Sequence, residues 1–247
     1  MTGGYTGLGK ISAETLIEAG AHVAVCSRRP EKWQNSFREL ETFANQHDKR
    51  LVGFKCDVTD QNQVAHMVSE VVSKLGSIDI LVNNAGTAWV ASAAKMETED
   101  WKKVVDINLT GSFLVTREVG GFMIEKRSGK IINMTSVTAL RGTSPELLDA
   151  LSYSASKAGI IGFTRDLAVK WARYRINVNA IAAGWFRTHM TEVLLASREQ
   201  LVISKTPLGR LGQPADLKGL IFFLSSPASD YVTGQVIALD GGMSITL

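Results

Sequence analysis

The hydrophobic positions of the chain follow two alternating patterns. Short apolar runs rich in β-branched residues recur along its length, and segments with apolar residues at helical spacing separate them. The runs read HVAVCS, LVGFKC, IDILVNN, KIINMTS, INVNAIA and GQVIALD. Strands that alternate with helices form parallel βαβ units. The pattern therefore predicts an α/β fold with a doubly wound, mostly parallel sheet of Rossmann type.

The polar and apolar spacing also gives the helices. Helices are predicted over 8–20, 31–46, 61–75, 98 to about 126, 154–174 and from 214 onward. We find no repeat, low-complexity tract or linker, so residues 1–247 are interpreted as one domain.

Composition narrows the choice of partners. The chain is 45% hydrophobic and 21% charged, as in ordinary soluble domains, and its net charge of +3 comes from scattered basic residues. This favours neither nucleic acid nor a membrane surface. No run approaches the roughly 18 apolar residues of a membrane span, and no signal peptide is recognisable. We expect a cytoplasmic protein with a small anionic ligand, no metal site, and buried free thiols at Cys26 and Cys56.

Candidate chemistry gathers where the predicted strands end. Asp57 follows the second run, NNAG follows the third, Ser136 ends the fourth, and AAGWFRT follows the fifth. Ligands of open α/β sheets bind in the crevice at the carboxyl ends of the strands. The convergence of separate segments on one edge predicts the binding site there.

The opening MTGGYTGLGK reads as a phosphate-binding turn. Gly3, Gly7 and Gly9, with Thr6 and Leu8, lead into the first predicted helix. A helix N-terminus offers free N–H groups and a positive dipole end to a pyrophosphate. A glycine-rich turn is a weak signal alone, and a plain connection between strand and helix is the alternative.

The end of the next strand indicates which nucleotide binds. A carboxylate there would accept hydrogen bonds from a ribose 2′-hydroxyl, but the sequence reads Ser27-Arg28-Arg29. A guanidinium can hold a 2′-phosphate in a bidentate pair. NADP(H) is therefore favoured over NAD(H), with two solvated arginines as the alternative.

A Tyr and a Lys four residues apart suggest proton transfer. Tyr153 and Lys157 share one face of a predicted helix. The pKa of a phenol lies near 10, and a neighbouring ammonium is expected to lower it. Ser136 would hydrogen-bond the substrate oxygen. Asn108 is a poor helix former inside a predicted helix, which suggests a functional role such as anchoring a water in a proton path.

Together these residues resemble the short-chain dehydrogenases/reductases over essentially the whole chain. The matching elements are Thr2-Gly3-x-x-x-Gly7-x-Gly9, Asp57-Val58, Asn83-Asn84-Ala85-Gly86, Asn108, Ser136, Tyr153-x-x-x-Lys157, Gly184 with Thr188, and Asp240-Gly241-Gly242. The resemblance implies hydride transfer between nicotinamide C4 and a carbonyl or secondary alcohol. In that reaction Tyr153 would be the general acid or base.

The resemblance also implies the site residues. Asp57 would bind the adenine edge, Lys157 the nicotinamide ribose and Thr188 the carboxamide. The catalytic set is Asn108, Ser136, Tyr153 and Lys157. The cofactor-binding set is Gly3, Thr6, Gly7, Leu8, Gly9, Ser27, Arg28, Asp57, Val58, Asn84, Ala85, Gly86, Tyr153, Lys157, Gly184, Phe186 and Thr188.

Two departures from the family pattern carry expectations. Ala183-Gly184 replaces the frequent Pro-Gly, which would loosen the loop over the nicotinamide. The family also has a central strand of about six residues before the glycine loop, and only Met1 stands there. We expect a truncated form, in which restoring about ten upstream residues would raise the melting temperature and activity, because a buried strand stabilises a domain strongly.

Substrate and assembly stay open at this stage. The resemblance implies a substrate lid at about 188–206 and a homodimer or homotetramer formed through the two longest helices. Sugar acids or polyols and 3-oxoacyl thioesters both fit, and Arg141 and Arg187 would favour the first by pairing a carboxylate. The alternative from another class is a truncated nucleotide-binding or subunit-pairing module without turnover.

Overall fold

The computed structural model describes residues 1–246 as an alternating α/β chain. Its strands are β1 (Val23–Ser27), β2 (Leu51–Lys55), β3 (Ile80–Asn83), β4 (Gly129–Ser136), β5 (Ile176–Ala183) and β6 (Val236–Leu239). Its helices are α1 (Gly7–Glu18), α2 (Gln34–Gln46), α3 (Gln61–Leu75), α4 (Thr98–Val105), α5 (Gly111–Lys126), α6 (Leu151–Trp171), α7 (Glu192–Ser204) and α8 (Pro214–Ser225). The predicted strands are all present, and their bounds shift by at most two residues.

All strand pairs are parallel, as predicted. β1 pairs with β2, and β3 to β6 form a second group in the order β3-β4-β5-β6. The longest ladder joins β4 to β5, from Gly129 opposite Ile176 to Ser136 opposite Ala183. The chain thus builds outward in one direction through β1 and β2, and then outward in the other through β3 to β6. The carboxyl ends of all six strands reach one edge.

Residues 1–3 lie between the two groups of strands. The N–H of Thr2 donates to the Val82 oxygen at 3.1 Å, and the N–H of Gly3 donates to the Cys26 oxygen at 2.9 Å. The short segment therefore lies between β1 and β3, at the central position that the resemblance assigns to the strand before the glycine loop, and Thr2 forms an isolated bridge with Cys26 there. Beyond it, a cavity of about 330 Å³ separates these two strands and is lined mostly by apolar side chains.

Helices cover both faces of the sheet. α1 and α8 bury Ile17, Leu217 and Ile221 on one face, together with Ile132 of β4. α3 and α5 bury Val64, Val115 and Met123 on the other face, together with Ile131. Successive side chains of a strand point to opposite faces, so the neighbours Ile131 and Ile132 each help to fix one helical layer. Within residues 1–246, no helix combines the length and the apolar character needed to cross a bilayer.

A buried polar network ties α5 and α6 to the sheet. The Asn83 amide nitrogen donates to Thr116 Oγ1 at 2.8 Å and to Asn133 Oδ1 at 2.9 Å. Asn133 in turn donates to Thr164 Oγ1 of α6 at 2.9 Å. Buried polar groups are costly unless they are paired, so these bonds fix where α6 lies against β4. That position decides where Tyr153 and Lys157 meet the sheet edge.

Candidate active site

The glycine loop and the start of α1 form the floor of a cleft of about 510 Å³ at the carboxyl edge. Gly3 and Gly7 have φ of +64° and +55°, a conformation that favours glycine. A Cβ on Gly9 would lie 2.2 Å from the Gly3 oxygen, so helix and loop touch through backbone atoms alone. Within the described chain, Thr6 makes no side-chain cap to α1. The N–H groups of the first turn therefore remain available to an anion.

The NNAG segment holds this loop in place. The Asn84 amide nitrogen donates to the oxygens of Thr2 at 3.2 Å and Gly3 at 3.0 Å. Thr2 Oγ1 accepts the backbone N–H groups of Asn84 and Ala85, each at 3.0 Å. Gly86 lies over the reactive end of the cleft, where its added Cβ would meet Asn108 Oδ1 at 3.3 Å. The predicted set Asn84 to Gly86 thus shapes the cleft directly.

A second cavity of about 220 Å³ adjoins this cleft beside β1 and β2, and the two together form one groove. Predicted residues Ser27, Arg28, Asp57 and Val58 all line it. Arg28 Nη1 lies 3.9 Å from Asp57 Oδ2, and both side chains are partly exposed. An exposed pair at that distance is weak, so Arg28 is free to turn toward a stronger anion. Asp57 itself accepts the Thr59 N–H at 3.0 Å and hydroxyl at 2.7 Å.

Ser136, Tyr153 and Lys157 meet at the other end of the cleft, where β4 ends against α6. Lys157 is buried, and its Nζ donates to the Met134 oxygen at 2.8 Å. Nζ also lies 5.7 Å from the centroid of the Tyr153 ring. Thr138 donates to Ser136 Oγ from its N–H at 3.3 Å and from its hydroxyl at 3.1 Å. These bonds leave the Ser136 proton free to face Tyr153.

The prediction that the pKa of Tyr153 lies below its ordinary value is wrong for this structure, because the effect of burial outweighs the opposing interactions. Burial raises the pKa of the Tyr153 phenol, and the hydrogen bond from Ser136 opposes that rise only in part. Burial lowers the pKa of Lys157 from 10.5 to about 8. The reason is that the low-polarity surroundings disfavour the charged form of each group. Tyr153 is therefore held in its neutral, proton-donating form.

Asn108 lies in a break in the helical pattern. Residues Asp106–Thr110 form a π-helical turn between α4 and α5, and such turns often occur at functional sites. The Asn108 side chain accepts the Thr87 N–H at 2.8 Å and donates to the Thr87 oxygen and to Ser156 Oγ, both at 2.9 Å. Asn108 thus ties the loop after β3 to α6. Its predicted role in holding a water stays a prediction.

The loop after β5 forms another wall of the cleft, through Gly184, Phe186 and Thr188. The Gly184 N–H donates to the Leu239 oxygen at 2.9 Å, and its added Cβ would lie 2.7 Å from the Asp240 Cα. These contacts hold Gly184 against β6, and the expected loosening by Ala183-Gly184 stays a prediction. Phe186 is buried, and both Phe186 and Thr188 line the cleft. A Cβ on Gly7 would lie 3.3 Å from Thr188, which brings this wall against the glycine loop.

The arginines proposed to pair a substrate carboxylate are engaged elsewhere. Arg141 donates to the backbone oxygen of Met243 and to that of Thr246. Arg187 pairs with both carboxylate oxygens of Glu199, at 2.6 and 2.7 Å. Neither residue lines the cleft. That expectation is wrong because the C-terminal segment and α7 supply nearer partners.

Most of the predicted lid is a packed helix. α7 buries Leu195 and Val202 against Val137 and Leu147. Arg198 also donates to the Leu147 oxygen at 3.4 Å. The residues of the lid that face the cleft lie before α7, at 188–191.

The sequence analysis did not name several lining residues individually as site residues. Arg29, Trp33, Thr87, His189 and Met190 line the cleft beside the predicted set. Trp33 ends a short 3-10 turn after β1, and none of these residues belongs to a spacing motif. The one available signal was position, because all of them follow the carboxyl ends of strands.

Comparisons with known proteins agree with this site. A sequence model described as enoyl-(acyl carrier protein) reductase matches residues 3–244. The 3-oxoacyl-(acyl-carrier-protein) reductase FabG of Thermotoga maritima is 39% identical over 245 residues, which cover 99% of this chain and 96% of the relative.

Two solved structures show the same fold. A short-chain type dehydrogenase/reductase from Mycobacterium marinum has a TM-score of 0.94 at 34% identity, with 100% of this chain and 94% of that chain covered. A gluconate 5-dehydrogenase from Burkholderia cenocepacia, solved in complex with NADP and tartrate, has a TM-score of 0.91 at 34% identity, again with 100% and 94% covered.

A doubly wound sheet with a glycine loop and a Ser, Tyr and Lys at its carboxyl edge defines a nucleotide-dependent oxidoreductase. The chain belongs to the short-chain dehydrogenases/reductases, in the branch described by the matching family model.

Proposed function

We propose that the protein is an NADP(H)-dependent oxidoreductase that interconverts a ketone and a secondary alcohol. The observation that carries the proposal is the meeting of Ser136, Tyr153 and Lys157 in the same cleft as the glycine loop. When bound, the dinucleotide would supply or accept a hydride. The protein's part is to hold the carbonyl, donate a proton to its oxygen and keep the groups in register.

The proton chemistry follows from the environments of the three side chains. Neutral Tyr153 donates its proton to the carbonyl oxygen as negative charge develops there. Ser136 donates a second hydrogen bond to the same oxygen. The Lys157 ammonium, bonded to the Met134 oxygen, stabilises the phenolate that Tyr153 becomes. In the reverse direction the phenolate accepts the proton from the alcohol.

The remainder of the groove offers residues that would hold the other parts of a dinucleotide. Gly3, Gly7 and the first turn of α1 would hold the pyrophosphate, and Asp57 with Val58 would border the adenine. Ser27 and Arg28 would hold a 2′-phosphate. The relative from Burkholderia cenocepacia was solved with NADP, which supports the same choice here.

We place 3-oxoacyl thioesters first among substrates and sugar acids second. Both arginines that would favour a free carboxylate are engaged outside the cleft. The Thermotoga maritima relative is named as a 3-oxoacyl reductase, and the Burkholderia cenocepacia structure as a gluconate dehydrogenase.

We propose a homodimer or homotetramer through the outer faces of α5 and α6. Among the apolar residues of α5 and α6, Val115, Ile160 and Ile161 are buried within the chain, whereas Phe113 is 45% exposed. Val169 of α6 is 79% exposed. A cytoplasmic location stays a prediction from the sequence.

The deciding experiment is a carbonyl screen that follows NADPH oxidation. It includes acetoacetyl and longer 3-oxoacyl thioesters, 5-keto sugar acids and simple diketones. Turnover of at least one ketone supports the proposal. If the protein binds NADPH, turns over no ketone and oxidises no alcohol, the alternative of a nucleotide-binding module is favoured instead.

Cofactor choice gives a separate prediction. Arg28→Ala is expected to raise the KM for NADPH by about 10- to 100-fold, because a charge-assisted hydrogen bond is worth about 1.5–3 kcal/mol. The KM for NADH should change by less than about threefold, because NADH lacks the 2′-phosphate. Steady-state kinetics with both cofactors measure this. Arg38→Ala, an exposed arginine on α2, is the matched control. Equal loss with both cofactors would contradict the assignment.

A further inference from the structure

An aromatic contact crosses the groove between two connections that are far apart in sequence. Trp33 ends the 3-10 turn after β1, and His189 follows Thr188 in the connection after β5. Their ring centroids lie 5.1 Å apart at an interplanar angle of 75°. This is the edge-to-face arrangement that aromatic pairs prefer.

The sheet order shows what this contact spans. β1 lies on one side of residues 1–3, and β5 lies on the other side, beyond β3 and β4. The glycine loop directly follows residues 1–3, so it begins between β1 and β5. A contact between the connection after β1 and the connection after β5 must therefore pass over the glycine loop.

The lining of the groove agrees with that topology. Trp33 lines both the 220 Å³ part beside β1 and β2 and the 510 Å³ cleft that contains Tyr153. His189 lines the 510 Å³ cleft, as do Gly3, Thr6 and Gly7 of the glycine loop. The pair thus stands where the two parts meet, above the loop that would hold the pyrophosphate.

Each partner is held on a different support. Trp33 packs against the core cluster that contains Val25 and Leu40. His189 lies in a segment fixed by Thr191, whose Oγ1 accepts the Thr188 N–H at 3.0 Å and donates to the Phe186 oxygen at 2.6 Å. The Trp side is anchored in the core, and the His side sits on a surface loop.

We propose that Trp33 and His189 form a clasp that retains the dinucleotide, an inference that rests on the proposed function. The closed pair covers the pyrophosphate segment, so the dinucleotide leaves only after the rings separate. The clasp slows release, and its two members are cofactor-binding residues that no glycine or arginine motif indicates.

Stopped-flow measurement of NADPH release, with excess NADP⁺ as the chase, tests the clasp. Trp33→Ala and His189→Ala are each expected to raise the release rate by about 3- to 10-fold, in line with the strength of one aromatic pair. The double variant should release no faster than the faster single variant, because both remove the same contact. Trp33→Phe should restore a rate within about twofold of the wild type, since Phe keeps the edge-to-face packing.

Controls separate the clasp from general damage. His66→Ala changes an exposed histidine on α3 and should leave release unchanged. Melting temperatures identify any loss of core packing in Trp33→Ala, and His189→Ala serves as the surface variant that leaves the core intact.

The results separate failure of the clasp from failure of the proposed oxidoreductase function. If the wild type binds NADPH but both single variants release it at the wild-type rate, or if their effects multiply in the double variant, the clasp is wrong and the proposed function stands. If the wild type binds neither NADPH nor NADH, the clasp and the proposed function are both contradicted.

Discussion

Replacing Tyr153 with Phe is expected to lower kcat for NADPH-dependent ketone reduction by about 10²- to 10⁴-fold, the usual contribution of a general acid. The structure gives the reason. Burial keeps the pKa of the phenol above its ordinary value, so the tyrosine carries its proton at neutral pH. Phe retains the ring and its packing but has no proton to donate to the carbonyl oxygen.

The measurement is steady-state kinetics on the best ketone from the screen, with NADPH affinity measured in parallel. Affinity should change little, because the hydroxyl alone is removed. Tyr231→Phe, which alters a fully exposed tyrosine, is the matched control and should behave as wild type. A Tyr153→Phe variant that keeps more than about a tenth of wild-type kcat would rule out Tyr153 as the proton donor.

Replacing Lys157 with Met is expected to lower kcat by at least about 10²-fold and yet to stabilise the fold at pH 7. Activity falls because no ammonium remains to stabilise the phenolate. Stability rises because burial lowers the pKa of Lys157 from 10.5 to about 8, a shift equivalent to about 3 kcal/mol of unfavourable free energy for the charged form. Loss of the bond to the Met134 oxygen offsets about 1–3 kcal/mol of that gain.

The direction of the Lys157 pKa shift determines how the stability gained by Lys157→Met changes with pH. Between pH 8 and 10.5 the unfolded wild type binds the Lys157 proton more tightly than the folded protein does. Wild-type stability attributable to this group therefore rises with pH across that window. The advantage of Lys157→Met should be greatest below pH 8 and should disappear above pH 10.5. Denaturant unfolding at pH 7 and pH 10 measures it.

Lys130→Met is the matched control for a lysine that holds a structural contact. Lys130 Nζ donates to Asn177 Oδ1 at 2.9 Å and to Asp230 Oδ1 at 2.6 Å, at the opposite edge of the sheet. Its replacement should lower stability by about 1 kcal/mol and leave kcat unchanged. If Lys157→Met were destabilising by the same amount at both pH values, Lys157 would be a structural residue and not a group strained for catalysis.

Some of the fold and site could be predicted because the signals are local. Strand and helix periodicity depends on which faces of each element are buried, so the order and bounds of the elements were readable. Most of the predicted site residues also line one groove, the exceptions being the buried Asn108 and Gly9. Parallel strands necessarily bring their carboxyl ends to one edge, which is why the sequence places Ser136 and the NNAG segment in the same group.

Other features depended on distances that no local pattern encodes. The π-helical turn at Asn108 serves contacts with Thr87 and Ser156, and these residues come close only after α6 packs on the sheet. Arg141 and Arg187 looked available for a substrate, but the folded chain supplies each with a nearer partner.

Local sequence was enough to predict the parallel α/β sheet, the edge at which its polar clusters gather, and the groups that can donate a proton or hold a phosphate. The rise in the pKa of Tyr153 and the contact between Trp33 and His189 became visible in the folded chain alone. Desolvation and side-chain contact depend on everything packed around a group, whereas the periodicity of a sequence reports only which face of a helix or strand is buried.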